Sequence, residues 1–468
     1  MTPSLKAGAP AAPHRIAPRF FKEPWISDQV LKAKGKSFAH FAKDFIPRLE
    51  RPQLISSVHG QIDRVLFTLP HWVFLEEFEE EPLWWPATYA TAEAFRTLLK
   101  RLPPKTRFLV LIEDEVKFGE PKIVIDSKAR LSKWLDTLNL NNRTEIVVAP
   151  SSVQFTIWAE DAYAVSRDTI DGEHYFVEPA SFLRKDDAQI ADIVAARTDM
   201  DHTQEALYFQ GGNILIGDDF WFIGMDYPNR SLELQFVTPK PGESPRQSVT
   251  KAYGAALDHT RRLLTIGSRL DVPGYEDPKT GNYELIHEFT LDGEIWTETL
   301  YRGNRPGTVQ PLFHIDMFIT LAGRDSSGRY VVAIGDPRRA AEVLNEPVQF
   351  HATVEVFDDI AEQLDMLGFH VVRTPMPLTY DDDLDKRQRI WYFATSNNAL
   401  VQVTEKSRDI WLPTYGHRKW PELAATDAEN RRIWEQELHF TVHDLGDFHP
   451  FASNLGAAHC VKKYLARS

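Results

Sequence analysis

A mixed α/β fold built by repeating one supersecondary unit is what this sequence predicts, and three observations carry that reading. Five amphipathic helical stretches are each followed within a few residues by a short β-branched or aromatic run. Further strand candidates lie between these units, and no low-complexity linker divides the chain. In chain order, Ala90 to Arg101 leads into a strand at Phe108–Ile112. Ser127 to Leu138 leads into Thr144–Val148 through a turn at Asn142 and Arg143. Ser248 to Arg262 leads into Leu263–Ile266, and Phe357 to Leu367 leads into Phe369–Arg373, with Gly368 as the helix stop. Glu422 to Glu437 leads into Leu438–Val442. The additional strands are expected at Val65–Leu69, Val153–Ile157, Phe220–Ile223, Tyr330–Ile334 and Ala399–Val403. An ordinary α/β chain could show the same five units by coincidence. Residues 267–310 are rich in Gly, Pro and charge, and read as a long surface excursion of the kind that forms lids. Residues 1–60 read as a partly disordered N-terminal extension, and residues 61–468 as one domain carrying that insertion at about 267–310.

Composition narrows the function classes. The chain has 468 residues, 43% hydrophobic and 26% charged, with 12 Trp, which is enough apolar area to offset the ordering entropy of a folded protein. A formal net charge of −14 argues against a broad nucleic-acid footprint, which needs a Lys/Arg-rich face, and suits cationic small substrates better. The single cysteine, Cys460, excludes an intrachain disulfide and is at home in a reducing compartment, so a cytoplasmic location is expected. The N-terminal residues lack the apolar run of a signal peptide, and no segment approaches the ~20 apolar residues needed to span a membrane.

Four segments could carry chemistry. In Leu312–Leu321, strand alternation would put His314, Asp316, Phe318 and Thr320 on one side, so a His and a carboxylate would point together from an otherwise apolar strand. Such a pair reads either as a general acid/base with its anion or as a satisfied structural pair. Cys460 follows a His and a Gly-Ala-Ala run, Gly456 to Ala458, that lets other groups approach closely, as a nucleophilic thiolate requires; a lone Cys is otherwise an ordinary core residue. In Phe155–Ala162, Trp158 beside Asp161 offers a ring face and a charge, the pairing expected around a planar cation, or else a buried Trp next to a solvated turn. Tyr208–Asn213 sets two glycines and an Asn before a strand. It resembles a protease-tag scar, but its internal position and the apolar run that follows argue against one.

Together, and in this order, these segments resemble the guanidino-group-modifying superfamily of agmatine deiminase, the peptidyl-arginine deiminases, arginine deiminase and the amidinotransferases. Trp158 to Asp161 is similar to the family's Trp-x-x-Asp, and Gly211 to Asn213 to its Gly-Gly-Asn strand. His314 to Asp316 is similar to its His-x-Asp, and Gly456 to Cys460 to its terminal Gly-x-x-His-Cys. Weaker echoes are Asn397–Leu400 and Leu412–Gly416, and the match runs from about Val65 to Cys460. The resemblance implies a pentein, an α/β propeller of five pseudo-symmetric modules around a central active site. It implies that Cys460 attacks the guanidinium carbon, that Asp161 and Asp316 hold its nitrogens, and that His314 protonates the leaving amine and then activates water. It places Trp158, Gly212, Asn213 and Asn398 among the substrate-binding residues, and calls for no cofactor and no metal. The partner implied is a small-molecule or peptidyl guanidino substrate, without nucleic acid or membrane. The chain departs from the pattern at Gln210, where agmatine and arginine deiminases have Glu; at Glu160, where Arg or Gln is usual; and at Ala457 and Ala458.

The expected activity is a Cys-dependent deiminase that converts an arginine-like, agmatine-like or peptidyl-arginine guanidine into a ureido product and ammonia. Amidinotransfer to an amine and a catalytically silent binding protein are the alternatives, and a Cys/His/Asp peptidase is disfavoured because no such local signature surrounds Cys460. Asp381 to Asp385 lacks the Gly and distal Glu of a calcium loop. His443, Asp444, Asp447 and His449 have zinc-like spacing, but are expected to be structural because they immediately precede the proposed nucleophile. His459 is expected to orient its neighbour.

Overall fold

Both ends of the described chain meet in one sheet. The strand Ile62–Thr68 is flanked by the antiparallel C-terminal strand Lys462–Arg467 on one side and by the parallel strand Arg107–Glu113 on the other, with Thr144–Ala149 parallel beyond it. The structure, a computed structural model, describes residues 49–73, 85–118, 123–270, 272, 285–300, 308–349, 352–418 and 420–468.

The same connectivity recurs in four more sheets: an antiparallel pair, a helical connection, then a strand parallel to the second. The sets are Ala164–Asp168, His174–Glu178 and Asp201–Gln204; Ile214–Ile216, Phe220–Gly224 and Arg262–Ile266; Ile319–Arg324, Tyr330–Asp336 and His370–Pro375; and Leu400–Val403, Arg408–Thr414 and Thr441–Asp447. The helical connections include Trp85–Arg101, Ile190–Ala195, Pro245–Ala256, Val354–Met366 and Ala424–Arg432. The result is a mixed α/β fold whose strands are near-continuously apolar where covered on both faces. Val65, Leu66, Phe67, Leu109, Val110 and Leu111 are all fully buried. Burial of side chains of this size contributes about 1.5–3 kcal/mol each. Among the described residues no helix is long and apolar enough to cross a membrane.

Local signals located most elements. Gly368 closes the helix Val354–Met366 at φ +94°, a conformation that costs glycine nothing. Asn141–Arg143 forms a 3₁₀ turn before Thr144–Ala149. Five expectations are corrected. Two of the five helix–strand units read from the sequence feed one sheet, whereas the unit Ile190–Ala195 to Asp201–Gln204 was missed, because its helix has 6 residues and its strand reads Asp-His-Thr-Gln. Val153–Ile157 is not a strand: Asp186 Oδ2 accepts from the Gln154 N–H (3.2 Å), and Asp187 accepts from the Thr156 N–H and hydroxyl (2.7 and 2.6 Å), so the donors a ladder needs are taken by side chains. Leu312–Leu321 is not one strand either. Ile315–Met317 is a 3₁₀ turn, and the strand begins at Ile319.

Residues 285–300, inside the stretch read as a surface excursion, form a hairpin, and its second strand Glu294–Leu300 runs parallel to Gln388–Phe393. Ile295 is 67% exposed and Trp296 8%, the alternation of a strand with one covered face. The rest of the disordered-extension expectation lies outside the described residues, but residues 49–60 belong to the fold, since Pro52–Leu54 pairs with Ala164–Asp168.

Candidate active site

The turn that presents Cys460 is held by one side chain. Asn398 Oδ1 accepts from the backbone N–H groups of Ala457, His459 and Cys460 (3.0, 2.9 and 3.1 Å), while its Nδ2 donates to the Asp316 carbonyl and lies against Cys460 Sγ, both at 3.2 Å. The Cys460 turn and the Asp316 turn are thereby tied together. Asn398 was expected to bind substrate; its polar atoms are instead spent on the scaffold. Asn398→Ala should strand the buried N–H donors of Ala457 and Cys460 at about 1–3 kcal/mol each, while the His459 N–H keeps the backbone carbonyl of residue 398 (3.1 Å). It is expected to lower the thermal midpoint together with activity, which calorimetry on the variant checks.

Asn213 has a comparable part in place of its expected substrate contact. Its Oδ1 accepts from the Ile315 N–H (3.1 Å) and from Gln310 Nε2 (3.0 Å), and its Nδ2 donates to the Gly224 carbonyl (3.1 Å). These bonds, with Gln310 donating to the Leu312 and Phe313 carbonyls (both 3.3 Å), replace the ladder expected for this segment and set the 3₁₀ turn. His314 and Asp316 therefore reach the same site by a turn and not by strand alternation.

His314 is fully buried and stacked on Phe313 at 3.9 Å between centroids. Its Nε2 meets Gln210 Oε1 at 2.7 Å, so the ring carries its proton there and turns Nδ1 toward Asp161 Oδ1, 3.7 Å away. Gln210, noted in the sequence only as a departure, is thus the group that sets the tautomer. Asp316 Oδ2 accepts from His459 Nδ1 at 2.8 Å and lies 3.7 Å from Cys460 Sγ. Trp158 packs edge-on to Phe451 and under Gly456, where a Cβ would collide with its ring. A Cβ at Gly212 would stand 2.5 Å from His314 Nδ1 and 3.1 Å from Asp316 Oδ2. Gly212→Ala should displace both groups and suppress turnover while leaving the distant sheets folded; unchanged steady-state kinetics would show that the site does not depend on this approach.

The sequence reading missed Arg184. Its Nη2 donates to Asp161 Oδ2 at 2.7 Å and its Nε to Asp187 Oδ2 at 2.5 Å. Asp161 therefore already accommodates one guanidinium on one oxygen. No spacing signal marks Arg184, which lies in a loop 23 residues from its partner. Glu160 is clasped by the buried Lys462 (2.6 Å) and Lys463 (2.8 Å), so its unusual acidic character is matched by two cations from the C-terminal strand.

Four buried polar atoms in this cluster have no hydrogen-bond partner: Asp161 Oδ1, Asp316 Oδ1, His314 Nδ1 and His459 Nε2. Leaving such groups unmade costs free energy, which a ligand that satisfies them returns. The electrostatics agree. Burial pushes the Cys460 thiol well above its ordinary range, and the Asp316 and Asp161 carboxylates push it further. Burial lifts Asp316 well above a usual carboxylate, reinforced by Asp161 and Glu160, and raises Asp161 in spite of Arg184. Burial holds His314 well below its ordinary value, with Arg184 adding to the effect, and His459 likewise, with Lys462 and Lys463 adding. The resting site is therefore a neutral thiol and neutral imidazoles beside carboxylates that favour a cation.

The zinc-spaced residues scatter. His443 pairs with Asp409 (3.0 Å), Asp444 caps the Gly446 N–H (2.8 Å), and His449 meets the Tyr392 hydroxyl (2.8 Å). In the acidic run, Asp382 pairs with Arg389 (2.8 Å) and Asp383 with Lys386 (2.7 Å).

The mixed α/β fold resembles that of two solved deiminase structures. Agmatine deiminase of C. jejuni matches with a TM-score of 0.53 and 11% identity, over 89% of this chain and 97% of its own. A protein assigned as a peptidyl-arginine deiminase matches with a TM-score of 0.51 and 12% identity, over 89% and 99% respectively. No protein-family model matches the chain, and no curated protein matches it by sequence.

Proposed function

We propose that this protein is a Cys-dependent hydrolase that deiminates a guanidino compound. One observation carries the reading: the chain's only thiol lies 3.7 Å from Asp316, in a cluster that leaves two buried carboxylate oxygens, on Asp161 and Asp316, with nothing to accept from. A planar guanidinium can donate one N–H to each. The five sheets of shared connectivity are what supports an arrangement of five modules.

In the proposed reaction the thiol proton passes to His314 Nδ1 as Sγ bonds to the guanidinium carbon. Collapse of the tetrahedral adduct breaks a C–N bond, and His314 returns that proton to the departing ammonia. Water then adds to the amidino-thioether, with His314 taking its proton. The C–S bond breaks, the ureido product leaves, and the proton returns to the thiolate. Asp161 and Asp316 hold the cation throughout, and Gln210 keeps Nδ1 facing the reacting atoms. The substrate is arginine-like, agmatine-like or a peptidyl arginine. Incubation with a panel of these compounds, reading ammonia and ureido product together with and without an amine acceptor, tests the proposal. Stoichiometric release of both supports it, and transfer to the amine without ammonia would replace it by amidinotransfer.

A pH dependence follows. Burial and two carboxylates raise the thiol, so the free protein carries Cys460 protonated near neutrality, and the thiolate fraction grows as pH rises. A bound guanidinium offsets the carboxylates and lowers the thiol again. Alkylation by iodoacetamide is expected to be slow at neutral pH, and faster when a non-reacting guanidinium analogue too small to cover the thiol is present. A thiol already fully reactive at mildly acidic pH without analogue would contradict it. Activity should follow a bell whose limbs belong to the coupled Cys–His pair.

A further inference from the structure

Outside the candidate active site, three donor groups converge from three elements of the second sheet and its helix. His202 lies on the strand Asp201–Gln204, which runs parallel to His174–Glu178 with Phe176 opposite His202 and Gln204 opposite Glu178. Side chains two apart share a face, so Glu178 and His202 are diagonal neighbours on one side of this sheet. Asp192 comes from the helix Ile190–Ala195, which connects these strands. His202 Nδ1 is 3.3 Å from Glu178 Oε2 and 3.2 Å from Asp192 Oδ1, and one ligand atom from each of the three residues lies within 4.8 Å of the others.

Two accounts of this geometry differ in the distances they require. One imidazole N–H serving carboxylates in charge-assisted hydrogen bonds would sit about 2.7–2.9 Å from an oxygen, and it can point at only one. Imidazole and carboxylate ligands about 2.0–2.2 Å from a tetrahedral zinc ion would lie about 3.3–3.6 Å from each other. The two separations, 3.3 and 3.2 Å, are longer than the charge-assisted bond and lie at the short edge of the second spacing, and both carboxylates lie at nearly equal distance from the same nitrogen. With the imidazole neutral, the three groups carry a formal charge of two minus, which a divalent cation cancels. Imidazole with carboxylates suits a first-row ion, and zinc needs no particular d-electron geometry.

We propose that Glu178, Asp192 and His202 form a structural site for a divalent first-row cation of the zinc class, with water at the fourth corner. The ion takes no part in the chemistry at Cys460. Its ligands bracket residues 179–191, the segment from which Arg184 reaches Asp161 and Asp187 reaches Thr156. A cation there fixes both ends of the loop that shapes one wall of the candidate active site. The six-residue helix, too short to hold itself, is fastened to the sheet by the same ion.

The test uses the full chain stripped with a chelator and titrated with zinc chloride by calorimetry, followed by metal analysis after dialysis. One zinc per chain and a higher thermal midpoint are expected, retained in Cys460→Ser and lost in His202→Gln and in Glu178→Gln. Zinc K-edge absorption on the wild-type protein supplies a readout that needs no variant: an all-nitrogen and oxygen shell with imidazole scattering is expected. Absence of binding, binding that survives in both ligand variants, loss of binding in Cys460→Ser, or a sulfur neighbour in the absorption spectrum would each overturn the site. None of these outcomes depends on deimination, so failure of the metal site and failure of the proposed activity are separable.

Discussion

Cys460→Ser is expected to lose turnover by a factor on the order of 10⁴–10⁶, the scale seen when a covalent nucleophile is removed, while the protein folds as before. The hydroxyl is smaller than the thiol and can still accept from Asn398 Nδ2, and the three N–H bonds that fix the turn come from the backbone, so the fold has no reason to respond. What is lost is ionisation. A thiol raised by burial and two carboxylates can still give up its proton when a guanidinium arrives, whereas a serine hydroxyl so placed cannot. Single-turnover assays with the best substrate of the panel, together with circular dichroism and a thermal scan, check both halves. Substantial activity retained in a folded Cys460→Ser protein would remove the nucleophile from the proposed mechanism.

Asp316→Asn should weaken kcat/KM by about thirty- to several-thousand-fold, the equivalent of the about 2–5 kcal/mol lost when one partner of a desolvated charge pair is removed. The side chain keeps its shape, and an amide oxygen can still accept from His459 Nδ1, so the loss reports on the charge facing the substrate. The same change also relieves the thiol: with one of the two neighbouring carboxylates gone, Cys460 should ionise at lower pH in the free protein. A loss of substrate affinity combined with a gain in iodoacetamide reactivity distinguishes this role from mere scaffolding, which would lower both. Asp161→Asn is expected to resemble it in affinity but also to leave Arg184 with Asp187 alone. Calorimetric titration showing unchanged affinity in Asp316→Asn would refute the assignment.

What the sequence determined by itself is what short-range pattern encodes. The apolar runs of Ile62–Thr68, Arg107–Glu113 and Tyr330–Asp336, the helix stop at Gly368 and the turn at Asn141–Arg143 each follow from neighbours within a few residues, so they were legible. The residues brought together at the candidate site, Asp161, His314, Asp316 and Cys460, were legible by motif order, whereas Gly212, expected only among the substrate-binding residues, owes its close approach to His314 and Asp316 to the folded chain. The tertiary structure decided how they are held. His314 and Asp316 share a site because Asn213, about a hundred residues away, takes the Ile315 N–H and holds the neighbouring Gln310 against the Leu312 and Phe313 carbonyls, which turns an apparent strand into a 3₁₀ turn. Asn398 and Asn213 became scaffold through bonds that only a folded chain can form. Arg184, the Lys462–Glu160–Lys463 clasp and the Glu178, Asp192 and His202 cluster left no trace in periodicity or spacing. Their partners come together through parallel pairing and loop return, and the energy of a buried polar group depends on what surrounds it in space and not on what flanks it along the chain.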